Sequence, residues 1–228
     1  MTKNWRLAAR WWASDYAYAV RGQTRGLFTA FDSSTMHKGE RAPVIVIPGI
    51  YESWRFLLPL ITQVHERGHP IHVVESLQLN LRPVSESASL VKTYIESNDL
   101  SGAIILAHSK GGLIGKHVMM QSDAIGRVNG MVAVATPFGG SAYARFMVTR
   151  SLRIFSPNDP TIRALASDVA VNSRIVSIYG AFDPHIPARS ELVGAKNVEL
   201  DTGGHFRVLA HPRILAEFVE LADRQVRP

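Results

Sequence analysis

Ala103-Ile104-Ile105-Leu106-Ala107-His108-Ser109-Lys110-Gly111-Gly112 carries a continuous apolar run into a helix-like segment, Leu113-Ile114-Gly115-Lys116-His117-Val118-Met119-Met120. The run does not alternate apolar and polar residues, so it reads as a strand buried on both faces. Ser109 falls on the turn between strand and helix, with small residues two positions before it, Ala107, and two after it, Gly111. Such a turn forces the serine into a strained backbone conformation, and larger neighbours would collide. The helix that follows places its N-terminal N–H groups beside Ser109, where they can meet developing negative charge. This is the layout of a nucleophile elbow; the alternative is an ordinary Gly-rich loop. His108 reads as packed beneath the turn. Lys110 reads as needed for its backbone, with its ammonium in solvent.

Working outward, apolar runs alternate with amphipathic ones from Pro43 onward. Val44-Ile45-Val46-Ile47 is a β-branched strand ending at Pro48-Gly49, and Ser53 can cap a helix running to about Glu66 that Gly68 stops. Further strands are expected at 71–74, 103–107, 130–135, 175–179 and 198–200, with helices near 85–97, 110–120 and 212–222. Continuous apolar strands separated by helices mean a mainly parallel sheet of about six strands, covered on both faces, hence an α/β fold. Its crossovers should be right-handed.

The chain has 228 residues, which suits one core, and no cysteine, which excludes disulfides and thiolate chemistry. Its net charge of +6 is uneven: residues 1–41 hold seven Lys/Arg against three Asp/Glu. The rest is nearly neutral, and its scattered arginines form no basic stripe of the kind nucleic-acid binding needs. Residues 1–40 therefore form an aromatic, basic helical arm, and 41–228 a single domain. Within the arm, Trp5, Ala8, Ala9, Trp12 and Tyr16 share one face at helical spacing, with Arg6, Arg10, Arg21 and Arg25 around them. Charges interrupt it well short of a membrane span, and Asp15 with two tyrosines spoils it as a signal peptide. The expected setting is cytoplasmic. Residues 1–25 then either pack on the domain or lie peripherally on a membrane surface.

In an open α/β sheet, ligands bind at the carboxyl ends of the strands. After the strand at 175–179 comes Gly180-Ala181-Phe182-Asp183, and after that at 198–200 comes Asp201-Thr202-Gly203-Gly204-His205. Ser109, Asp183 and His205 thus reach one edge, where His205 would take the serine proton and Asp183 would fix the imidazole tautomer. Asp183 could instead merely cap the following turn, with Asp201 the competing acid; His185 and His211 rival His205. Pro48-Gly49-Ile50 ends the first strong strand, where the Ile50 N–H could join that of Lys110 around an oxyanion. His65, His69 and His72 share no helical face and gain no carboxylate at ligand spacing, so no metal is expected.

These residues resemble the α/β-hydrolase fold, and within it the bacterial lipase and esterase group, over nearly all of Ala42 to Leu221. Ala107-His108-Ser109-Lys110-Gly111-Gly112 is similar to the group's Gly-His-Ser-x-Gly-Gly, changed only at Ala107. Thr136-Pro137-Phe138-Gly139-Gly140-Ser141 is similar to its Thr-Pro-x-x-Gly-Ser segment, and Asn80-Leu81-Arg82-Pro83 to its Asn-x-x-Pro. Gly180-x-x-Asp183 and Gly204-His205 match its acid and base positions. Pro48-Gly49-Ile50 takes the place of its His-Gly-x loop, with proline for histidine. The resemblance implies a cofactor-free serine hydrolase acting on small-molecule or lipid-type carboxylic esters. A thioesterase or acyltransferase would use the same residues, and an inactive hydrolase-fold binding module is the alternative of another class. The insertion at about 137–173 leaves room for a small lid and no large cap domain. Its apolar stretch Ala142-Tyr143-Ala144-Arg145-Phe146-Met147-Val148 to Phe155, with Tyr51, Trp54 and Phe138, either lines an acyl pocket or is simply core. Oligomeric state is not encoded in any of these motifs.

Overall fold

The computed structural model describes residues 5–28, 31–121, 126–146 and 149–224. Its centre is a six-stranded sheet: β1 (Val44–Ile47), β2 (Ile71–Val73), β3 (Ala103–His108), β4 (Val128–Val134), β5 (Ile175–Phe182) and β6 (Lys196–Gly203). The order is β2-β1-β3-β4-β5-β6 and every pairing is parallel. The expected α/β architecture is therefore present. β3 shows why its sequence is apolar throughout: Ile105 and Ala107 enter one hydrophobic cluster, Ile104 and Leu106 the other. Side chains alternate across a strand, so a sheet covered on both faces needs apolar residues at every position. Each fully buried isoleucine or leucine contributes about 1.5–3 kcal/mol.

Helices α3 (Val84–Ser97), α4 (Lys110–Met120) and α6 (Pro160–Ser167) cover the first face, and α2 (Leu58–His65) and α7 (Pro212–Arg224) the second. The helix expected from Ser53 begins instead as a 3-10 turn, Trp54–Leu57, and becomes α-helical only at Leu58. Pro59 has no N–H to offer the preceding turn, so regular i→i−4 bonding starts late. The insertion between β4 and β5 holds a 3-10 turn (Ala142–Phe146), the short α5 (Arg150–Arg153) and α6. Ala144, Phe155, Ile162 and Leu165 are buried in the core, whereas Tyr143 and Phe146 are exposed, so the segment is partly core and partly surface. Met147, Val148 and Asn4, and the side chains of Arg25 and Arg145, lie outside the described residues.

The N-terminal helix α1 (Trp5–Phe28) presents a different face from the one its aromatic spacing suggests. Trp5 and Trp12 are 70% and 51% exposed, and Tyr16 is exposed as well. The packed side carries Trp11, Asp15, Tyr18 and Gly22. Trp11 stacks on Phe182 and lies so close to Gly203 that a Cβ there would come within 2.5 Å of its ring. Gly22 meets the Phe56 ring just as closely. Helix α1 is thus seated on the end of β6 and on the Trp54–Leu57 turn. Among the described residues, no helix is long and apolar enough to cross a membrane.

Removing residues 1–25 strips this docking from the domain. A loss of about 3 kcal/mol is expected, which lowers Tm by roughly 6–12 °C for a chain of this size. Calorimetry checks it; an unchanged Tm would make α1 a detachable arm.

Candidate active site

Ser109 stands at φ 51 and ψ −119, between the end of β3 and the start of α4. A non-glycine residue there costs about 1–3 kcal/mol and persists only where its surroundings dictate it. They do. The Ser109 N–H donates to Val134 O at 2.8 Å, and the Ser109 carbonyl accepts from Gly112 N–H at 3.1 Å. A Cβ at Gly111 would lie 2.1 Å from Ile47 O, and one at Gly112 2.0 Å from Thr136 Oγ1. Both glycines are required by space, whereas Ala107 is buried without conflict.

Ser109, His205 and Asp183 form one chain of hydrogen bonds. His205 Nε2 lies 3.0 Å from Ser109 Oγ, and His205 Nδ1 lies 2.8 Å from Asp183 Oδ2. Asp183 Oδ1 also accepts the N–H groups of His185 at 2.7 Å and Ile186 at 3.0 Å. It therefore caps its turn and faces His205 at once. A carboxylate accepts, so Nδ1 carries hydrogen and Nε2 is left to accept from the serine hydroxyl. Burial pushes the His205 imidazole down, but the carboxylates of Asp183, Glu52 and Asp15 outweigh it and hold it above its usual 6.5. Burial likewise pushes Asp183 up, and His205 with the His185 N–H brings it below the usual carboxylate range. The rivals stand elsewhere. Asp201 has a side chain 94% exposed and pairs with His211 at 3.3 Å. The His185 Nε2 bonds the Tyr16 hydroxyl at 3.2 Å, and burial with the adjacent His205 pushes its imidazole down to about 4.

Lys110 corrects the sequence reading. Its ammonium is not in solvent but fully buried, donating to Asn80 O at 2.7 Å and to Arg82 O. Burial lowers its pKa to about 8. Asn80 in turn donates from Nδ2 to Pro48 O at 2.7 Å and accepts from Ser87 Oγ at 3.3 Å. The loop before α3 is thereby tied both to the first residue of α4 and to the turn after β1. A second brace holds that turn from below. Glu52 Oε2 accepts the Gly49 N–H at 2.8 Å and faces His108 Nδ1 at 2.9 Å, while His108 Nε2 donates to His205 O at 3.0 Å. Among the described residues, the N–H groups of Ile50 and Lys110 donate to no protein acceptor.

Ser109 and His205 open onto a cavity of about 480 Å³, walled by Trp12, Tyr16, Ile50, Tyr51, Leu152 and Phe155. The size is typical of small-ligand sites. Tyr51 lies in this wall as expected and bonds Ser151 across it at 3.0 Å. Trp54 and Phe138 do not line it. Trp54 is buried beneath the Arg55 guanidinium and against Phe31, because the 3-10 turn rotates it away from the cavity. Phe138 is buried in the core under the insertion. Trp12 and Tyr16 take their places from α1, which sequence reasoning had left outside the site. His65, His69 and His72 are dispersed, bonding His69 O, Ala42 O and the Tyr94 hydroxyl respectively.

No protein-family model matches the chain, and no curated protein sequence matches it significantly. Solved structures do match. A Mycobacterium tuberculosis H37Rv protein named a non-heme bromoperoxidase superposes with a TM-score of 0.62 at 13% identity, over 83% of this chain and 94% of that one. An extracellular α/β-hydrolase from a Paenibacillus species gives 0.54 at 16% identity, over 79% and 98%. A structure from the metagenome-derived lipolytic enzymes LipS and LipT gives 0.59 at 10%, over 82% and 95%. The chain has the α/β-hydrolase fold. At such identities the likeness carries the fold and not the reaction.

The paired shifts of His205 and Asp183 set a pH window for stability. The histidine's contribution is complete below 6.5 and lost as pH rises through its raised folded value. The aspartate's is lost as pH falls through its lowered value. Between those limits Asp183→Asn is expected to cost about 1.5–3 kcal/mol, the worth of a hydrogen bond to a charged group. Melting curves of both proteins across pH check this; a constant difference up to pH 10 contradicts it.

Proposed function

From an α/β-hydrolase fold with Ser109, His205 and Asp183 in one hydrogen-bonded chain, we propose that this protein is a serine hydrolase. It cleaves carboxylic esters, acyl esters of lipid character foremost, through an acyl-enzyme on Ser109. The observation that carries the reading is that chain opening onto an apolar-walled cavity. Ser109 Oγ attacks the ester carbonyl carbon while His205 Nε2 takes its proton, and Asp183 stabilises the imidazolium. The oxyanion is received by the N–H groups of Ile50 and Lys110, each worth about 2.7–4 kcal/mol in the transition state. Collapse expels the alcohol, which leaves with the His205 proton. Water then attacks the acyl carbon with His205 again as base, and Ser109 regains its proton. The lipolytic neighbours support the substrate class by analogy alone.

A fluorophosphonate probe tests the reading: it should label the native protein and not Ser109→Ala. Absence of labelling, or equal labelling of the variant, would return the chain to a binding module. His205→Ala should lower ester turnover by about 10⁴-fold, and the acid limb of kcat/KM should lie above pH 6.5, since the base must be neutral. Among nitrophenyl esters of two to sixteen carbons, medium or long chains should be preferred. Strict preference for acetyl, or turnover of thioesters alone, contradicts the ester assignment.

The same reading covers where the enzyme works. Trp5, Trp12, Tyr143 and Phe146 are exposed around the cavity side of the molecule, and Arg6 stands over the Trp5 ring at 5.6 Å. Aromatic rings beside arginines suit an anionic lipid surface. Trp5→Ala/Trp12→Ala should sediment less with phosphatidylglycerol vesicles than wild type, and added salt should weaken the wild type. Equal partitioning of both proteins contradicts the docking.

A further inference from the structure

Asp15 occupies the middle of α1 among exposed neighbours, yet its own side chain is completely buried. Its two oxygens accept three consecutive backbone N–H groups: His205 at 2.9 Å, Phe206 at 2.8 Å and Arg207 at 2.7 Å. Room for the carboxylate exists because residue 204 is glycine at φ +126; a Cβ there would lie 2.5 Å from Asp15 Oδ1. Arg207 adds a bond from its guanidinium to Ser14 Oγ at 3.2 Å. The opposite side of the same residue is also held, since His205 O accepts from His108 Nε2 at 3.0 Å. The peptide flanking the imidazole is thus gripped through its N–H by α1 and through its C=O by β3.

Burying an unpaired carboxylate costs several kcal/mol, so its presence requires all three donors. A neutral side chain could cap the short 3-10 turn Arg207–Ala210 at less cost. What distinguishes this cap is the residue it seizes. The His205 ring must stand 3.0 Å from Ser109 Oγ and 2.8 Å from Asp183 Oδ2 at once. An error of about 1 Å in such an alignment costs on the order of 10²-fold in rate. We infer that Asp15 is a positioning residue for the base: it fixes the His205 peptide so that the imidazole stays in line between Ser109 and Asp183. The inference rests on the serine-hydrolase reading. It also makes α1 part of the active site, because the helix that walls the cavity with Trp12 and Tyr16 is the one that holds His205.

Asp15→Asn and Asp15→Ser test this, with Asp201→Asn, an exposed acid of the same strand end, as control. The charged and titratable groups facing His205 are Asp183 and His185 from the turn after β5, Glu52 and His108 from beneath, and Asp15 with Tyr16 from α1. Removing the Asp15 charge removes one of the carboxylates that favour the imidazolium. Both Asp15 variants should fold, lose about 10–100-fold in kcat with KM within about twofold, and show an acid limb moved to lower pH. The His205 ring protons, followed by NMR, should titrate at correspondingly lower pH, a readout that needs no turnover. Asp201→Asn should match wild type in all of these. A folded Asp15→Asn with native kcat, acid limb and His205 titration overturns the inference. So does a kcat loss equal to the unfolded fraction, or failure of both variants to fold, which would make Asp15 a folding residue. If the wild type resists the fluorophosphonate while His205 still titrates lower in Asp15→Asn, the hydrolase reading fails and the positioning of His205 stands.

Discussion

Everything at this site depends on one strained residue, Ser109, held at positive φ where β3 stops and α4 starts. The strain is sustained by lack of space: Ile47 O and Thr136 Oγ1 leave no volume for side chains at Gly111 and Gly112. Helix α4 therefore lies directly against β1 and the end of β4, and its first turn is aimed at one point. Strand order does the rest. With β3 central and β5 and β6 successive on one side, the loops carrying Asp183 and His205 come to the same edge as Ser109.

Around that point the protein uses buried charges as ties rather than as reagents. Lys110 holds the carbonyls of Asn80 and Arg82, the Glu52–His108 pair braces Gly49 and His205 O, and Asp15 grips three N–H groups. All are charged or shared-proton groups bonded to backbone in loops, where no sheet or helix ladder satisfies those atoms. Loops are otherwise the mobile part of an α/β fold, and here the loops carry every group whose placement matters. The buried lysine and aspartate each forfeit solvation, and each gains several backbone partners that would be left unpaired without it.

The sheet was legible because its signal is local. β1 and β3 are covered on both faces and so read as unbroken apolar runs. Ser109, Asp183 and His205 were legible because each follows such a run, and the fold brings strand ends together. The edge strand β6 was underestimated: its alternate residues are exposed, so the apolar run shrinks to its centre. Side-chain direction in loops was not legible. Lys110 in the elbow motif gives no sign that two carbonyls close over it, and Trp54 differs from Tyr51 only in the turn that rotates it. Helix α1 was misread for a related reason. It is aromatic on several sides, so periodicity could not choose a face; the choice was made by the N–H groups after Gly204, which need the acid at position 15. An acid in register with Trp11, Tyr18 and Gly22 was the available sign.

The central claim is that Ser109 becomes acylated during turnover. The direct measurement is acid quenching of the protein within milliseconds of mixing with a nitrophenyl acyl ester, followed by mass spectrometry of its peptides. The account expects the acyl mass on the peptide containing Ser109, forming in a burst with nitrophenol and decaying as substrate runs out. Turnover with no adduct on Ser109, or with the acyl group on another residue, would contradict it.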